Sequence, residues 1–176
     1  MSAVSASTIL SHWNHLIPGM QQSSNEFYTA VDRILIAQGI DDTKAERVNI
    51  AEGGLLSAKR EYLQVRRKGH VFHICAAPFG SGFFVSWWLG EVRSGLWAEF
   101  AAIPYLGPIL GFLASAAKPL TYYRIDTALM FQSVTHGAVL EALDQVIDAK
   151  GMRALTDIEK KPIMRDFFGQ LSSGGK

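Results

Sequence analysis

Hydrophobic and polar positions along the chain change their period several times, and each change predicts an element. Glu61-Tyr62-Leu63-Gln64-Val65-Arg66 alternates in character, and Lys68-Gly69 is a turn signal before the β-branched and aromatic run Val71-Phe72-His73-Ile74-Cys75-Ala76-Ala77. Pro78-Phe79-Gly80-Ser81-Gly82 breaks that run, and Phe83-Phe84-Val85-Ser86-Trp87-Trp88-Leu89 resumes it. The pattern predicts an antiparallel meander of strands near 61–67, 70–77 and 83–89, with a fourth strand at Leu120-Thr121-Tyr122-Tyr123-Arg124-Ile125. The second and third strands are apolar on both faces, which predicts cover on both sides.

Helical spacing accounts for most of the rest. Ile9, Leu10, Trp13, Leu16 and Ile17 fall on one face of a helix over Thr8–Ile17 that Pro18-Gly19 ends. Ser23-x-x-Glu26 opens a second helix toward Ile40, with Phe27, Ala30, Val31, Ile34 and Leu35 inward and Gly39 as its stop. A polar helix is expected from Asp42 to about Glu52. Asp126 caps a long helix to about Lys150 with Met130, Val134, Val139, Leu140, Leu143, Val146 and Ile147 as its stripe, and Thr156-Asp157-Ile158-Glu159 is a capping box for a last helix to about Leu171. The expected architecture is a single α+β domain over 1–171, an antiparallel sheet packed with amphipathic helices, and a disordered tail at 172–176.

Composition sharpens one feature of this pattern. The chain has 176 residues, 48% hydrophobic and 19% charged, yet its charges avoid one stretch. Among the 47 residues from Val71 to Ala117 only Glu91, Arg93 and Glu99 are charged, while the stretch holds 10 of the 19 aromatic residues. So much apolar surface calls for cover, since burying it is worth about 25 cal/mol per Å². Phe100 to Ala117 runs 18 residues without a charge, but Pro104, Gly107, Pro108 and Gly111 interrupt it and predict an apolar helical hairpin near 94–117. Two legs of roughly 15 Å each would enter one leaflet of a bilayer and return.

Chemistry is sparser than hydrophobicity. Net charge is +1, so nothing drives the whole chain toward nucleic acid. Cys75 is the only cysteine, which excludes an intrachain disulfide and a cysteine zinc site. The N-terminal segment has no basic and apolar leader pattern, so a cytoplasmic protein is expected, peripheral or monotopic at the inner face of a membrane. His73 and Cys75 share a strand face and would place an imidazole beside a thiol, although a lone cysteine among Ile74, Ala76 and Ala77 reads first as a small buried hydrophobe. His12 and His15 could share a metal at helical spacing but lack a third ligand. Pro78-Phe79-Gly80-Ser81-Gly82 lacks the lysine and serine or threonine of a phosphate loop. Tyr122, Tyr123, Arg124 and Asp126 are candidates to line a pocket. No motif calls for a cofactor or a metal.

The expected function is therefore non-enzymatic. The hairpin would contact membrane lipid or copies of the chain through Trp97, Phe100, Ile103, Tyr105, Leu106, Ile109, Leu110, Phe112 and Leu113. A basic patch of Lys59, Arg60, Arg66, Arg67 and Lys68 would meet anionic headgroups, at about 1 kcal/mol per residue near such a surface. The alternative is a soluble domain that binds a small apolar or lipid ligand between sheet and helices.

Overall fold

The computed structural model of the chain describes residues 8–51, 59–92 and 121–164. They form β1 (Thr8–Pro18), α1 (Ser24–Ala37), β2 (Thr43–Ala51), β3 (Lys59–Arg67), β4 (His70–Phe79), β5 (Gly82–Glu91), α2 (Tyr122–Ala149) and β6 (Ile163–Met164). The strands make one antiparallel sheet in the order β2-β3-β4-β5-β1-β6. The α+β class and the β3-β4-β5 meander agree with the sequence reading, but the sheet has six strands where about four were expected.

Cross-strand pairing fixes which side chains share a face. Val65 pairs with Phe72, Phe72 with Leu89, Ile74 with Trp87, and Trp87 with Trp13. These residues join the buried cluster on which both helices pack, with Phe131 of α2 edge-on to Phe72 at 5.1 Å and Phe27 of α1 edge-on to Phe83 at 5.8 Å. On the opposite face Gln64, His73, Trp88 and His12 form a row across four strands. There Gln64 bonds His73 at 2.9 Å and His12 stacks on Trp88 at 4.7 Å. From His70 to Ala76 every residue of β4 is buried, on both faces.

Four expected elements are corrected. Residues 8–17 are a strand: Leu10, Trp13 and Ile17 suit a helical period, but β1 pairs with β5 from Thr8↔Glu91 to Pro18↔Gly82. A bulge between Ile9 and Ser11 shifts the alternation there, which disguises the period of two. Residues 42–52 are also a strand in the described part, since Thr43 to Ala51 pairs in unbroken register with Arg67 to Lys59. Cross-strand hydrogen bonds and the Arg66–Glu46 ion pair at 2.6 Å outweigh the local polarity that read as a helix. Leu120–Ile125 is not a strand where it is described: Thr121 is the N-cap of α2 and its hydroxyl accepts from the Arg124 amide at 3.4 Å. The β-forming Tyr122 and Tyr123 are exposed and so do not decide the backbone. The capping box at Thr156 forms, with Glu159 accepting from the Thr156 amide at 2.7 Å, but it closes only a turn. Pro162 follows, and β6 pairs with Ser11 and His12 of β1.

α1 starts at its expected cap, Ser23, and Gly39 ends it with φ +60. The helix also repairs the sheet. β3 and β4 pair only from Arg67↔His70 to Leu63↔Ile74, and beyond that point the Tyr28 hydroxyl accepts from the Ala76 amide at 2.9 Å and donates to the Glu61 carbonyl at 3.0 Å. The hairpin expected near 94–117 and the tail at 172–176 lie outside the described residues. Among the described residues no helix is long and apolar enough to cross a membrane.

Candidate ligand cleft

The long helix and the sheet part at one end. Ile125, Ala128, Leu129 and Gln132 repeat at i, i+3, i+4 and i+7 along α2 and so face one way. Opposite them stand Leu89 and Glu91, alternate residues of β5, with Leu10 from the bulged part of β1 and Met164 of β6. Together with Arg124 they line a small, open cleft that encloses about 20 Å³. Leu129 and Met164 at its rim are 37% and 42% exposed.

The apolar walls carry polar groups at two points. At one end Arg124 Nη2 donates to Glu91 Oε1 at 2.7 Å. This pair joins the last residue of β5 to the first turn of α2, so it clasps together the two places where the chain enters and leaves the 93–120 stretch. Beside it, His70 of β4 brings Nε2 to 4.0 Å from the same Glu91 oxygen, too far for a hydrogen bond. Neither ring nitrogen of His70 has a partner, and the residue is 7% exposed. Burial holds the imidazole below its ordinary pKa; Glu91 opposes the shift, while Arg124 and Arg67 add to it.

The second point is Gln132. Its Oε1 accepts from Ser11 Oγ at 2.5 Å, and both residues are buried. One turn further, Trp87 Nε1 donates to His136 Nδ1 at 3.0 Å, which leaves the proton of the neutral ring on Nε2 to reach the Lys160 carbonyl at 2.7 Å. Trp13 Nε1 donates to the Glu159 carbonyl at 2.7 Å. These bonds hold the 159–160 turn against the sheet and so place β6, with Met164, at the rim of the cleft.

The expected contact residues from Trp97 to Leu113 lie outside the described residues. Within the basic patch, Arg66 is paired with Glu46, Arg67 donates to the Asp41 carbonyl at 3.3 Å, and Arg60 and Lys68 are exposed. Strand alternation sends Arg66 and Arg67 to opposite faces; Lys59 opens β3. His12 and His15 also point to opposite faces of β1, His12 onto Trp88 and His15 to within 3.8 Å of Glu159, so they cannot share a metal. No metal-binding cluster occurs among the described residues. His73 and Cys75 do share a face, but burial pushes the Cys75 thiol up in pKa against the lowering effect of Arg60, away from the reactive thiolate. Of the four residues proposed around 122–126, Arg124 lines the cleft and Tyr122 and Tyr123 are solvent-exposed.

The sequence reading did not foresee Leu10, Leu89, Glu91 and Gln132 as cleft residues. One signal was present: Glu91 is one of only three charges within the apolar stretch Val71–Ala117.

Comparison with known proteins adds little to this geometry. No family model matches the chain, and no curated protein matches it. Among solved structures, the crystal structure of TTHA0849 from Thermus thermophilus aligns over 79% of this chain and 97% of its own, with 13% identity and a TM-score of 0.27. A likeness that slight carries no argument about fold or function.

Proposed function

We propose that the chain is a binding domain for a small apolar or lipid ligand, taken up between α2 and the β5–β1 part of the sheet. The observation that carries this reading is the cleft itself: walls of Leu10, Leu89, Ile125, Ala128 and Leu129, with polar groups, among the described residues, confined to Gln132 and the Glu91–Arg124 pair. Apolar walls with a few placed polar groups are the usual make-up of a small-molecule site. Native mass spectrometry of the purified chain tests it, with a co-purifying mass or uptake of added medium-chain lipids expected. A bulky change at the small wall residue, Ala128→Phe, should abolish uptake; uptake undiminished in that variant, or no uptake by the parent chain, sinks the reading.

A second reading keeps the 94–117 segment as a contact with membrane lipid or with another copy of the chain, through Trp97, Phe100, Ile103, Tyr105, Leu106, Ile109, Leu110, Phe112 and Leu113. Its support is the charge-poor composition of the segment, together with the Glu91–Arg124 pair that joins the described residues on either side of it. Liposome flotation and sedimentation of the intact chain, against one with 100–117 replaced by a Gly/Ser linker, test both forms of contact. An intact chain that neither floats nor self-associates rules this reading out.

A further inference from the structure

His70 opens β4 directly opposite Glu91 of β5 and Arg67 of β3, and it shares the helix-bearing face of the sheet with Phe72 and Ile74. The residue is 7% exposed, and both of its ring nitrogens lack a hydrogen-bond partner. A neutral imidazole so placed forfeits the bonds it makes in water and contributes nothing that an apolar side chain would not. A protonated ring brings two donors, and the carboxylate beside it is the acceptor they require. That acceptor is contested: Glu91 Oε1, 4.0 Å from His70 Nε2, is the same oxygen that Arg124 Nη2 holds at 2.7 Å.

We propose that Glu91 is the moving part of an acid-operated switch. With His70 neutral, its carboxylate ties the first turn of α2 to the end of β5 through Arg124; with His70 protonated, it turns about 1 Å toward the imidazole and lets that turn go. Solvation decides which cation keeps the carboxylate. An imidazolium on this buried strand cannot be hydrated, whereas the Arg124 side chain is 27% exposed and its long stem can carry the guanidinium into water. Among the described residues the other charged groups that act on His70 are Arg124 of α2 and Arg67 of β3, both positive, so Glu91 is the anion that answers a charged ring. Release has a second effect on α2. Its first turn contains no acidic residue, and a guanidinium there opposes the positive end of the helix dipole unless Glu91 neutralises it. The imidazole is more basic with the carboxylate turned to it than with the carboxylate held by Arg124, so acid favours the released state and neutral pH the tied one.

Titration of the full chain from about pH 7.5 to about pH 5 tests the switch. It is read by the ring resonances of His70, the Nε–H resonance of Arg124 and hydrogen exchange of the Ile125 amide, which donates to the Thr121 carbonyl at 3.1 Å. All three should change with one midpoint. Exchange at Ile125, corrected for the intrinsic effect of pH, should be about tenfold faster on the acid side, while that of Ala138, in the buried middle of α2, changes little. His70→Leu should hold the Arg124 and Ile125 signals at their neutral-pH values throughout. If that variant does not fold, the shared midpoint in the parent chain decides, with the His136 ring as the control that should titrate without moving Arg124. Arg124 and Ile125 signals that ignore the titration of His70, an equal acid response in His70→Leu, or a His70 ring that stays neutral until the chain unfolds overturns the inference.

Discussion

Arg124 Nη2 lies 2.7 Å from Glu91 Oε1, so the end of β5 and the start of α2 are joined by a charge-assisted hydrogen bond although 33 positions separate the two residues. Both side chains are about three-quarters buried. At that depth the bond is less screened than a surface pair. Arg124→Met should cost about 1.5–3 kcal/mol in urea unfolding, and Glu91→Gln a similar amount. The double variant should cost clearly less than the sum, since each single change already breaks the bond the two residues share. Strict additivity would show that the pair does not act as a clasp.

Two histidines, His70 buried and His136 half-buried, set a pH dependence of one sign. His70 and His136 are both held below the ordinary imidazole value of 6.5, in each case chiefly by burial. The unfolded chain then binds more protons than the folded one as pH drops below about 6.5, so the stability present above that pH is lost as pH falls through the folded values. Midpoint temperatures should fall between pH 7 and pH 5, and the slope should flatten in His136→Gln. For His70→Leu, stability at pH 7 should be unchanged or higher, because an imidazole with two unpartnered nitrogens is replaced by an apolar group. A loss of more than about 2 kcal/mol in that variant would contradict this account.

Tyr28 takes the place of a ladder hydrogen bond where β3 and β4 cease to pair beyond Leu63↔Ile74. Tyr28→Phe keeps the ring in the core and strands the Ala76 amide. The expected cost is about 1–3 kcal/mol, and the Ala76 amide should exchange with deuterium much faster than its neighbours in β4. Unchanged protection there would mean that another acceptor serves that amide.

Gly82 begins β5 against β1, where an added Cβ would stand 2.8 Å from the Ile17 carbonyl oxygen. Backbone cannot step aside as a side chain does. Gly82→Ala should therefore destabilise by about 1–3 kcal/mol, whereas Gly69→Ala, with open space around its Cβ, should change little. Equal thermal stability of the two variants would count against the close approach of β1 and β5.

How much of this was legible beforehand depends on how local each interaction is. The meander, the turns at Lys68-Gly69 and 80–81, the Ser23 cap of α1 and most of α2 follow from alternation, turn residues and capping, all of which act within a few positions along the chain. The stretch from Val71 to Ala117 likewise stood out from its charges alone. Sequence did not determine whether Thr8–Pro18 and Thr43–Ala51 are helix or strand. Leu10, Trp13 and Ile17 satisfy a helical period, and only the backbone partners offered by β5 and β3, far away in sequence, decide the state. The cleft belongs to the same class. Leu10, Leu89, Gln132 and Met164 are brought together by the placing of β1 between β5 and β6 and by the lie of α2 across them. Side-chain burial, hydrogen bonding and charge at such a point are properties of the assembled layers, and no spacing rule along the chain contains them.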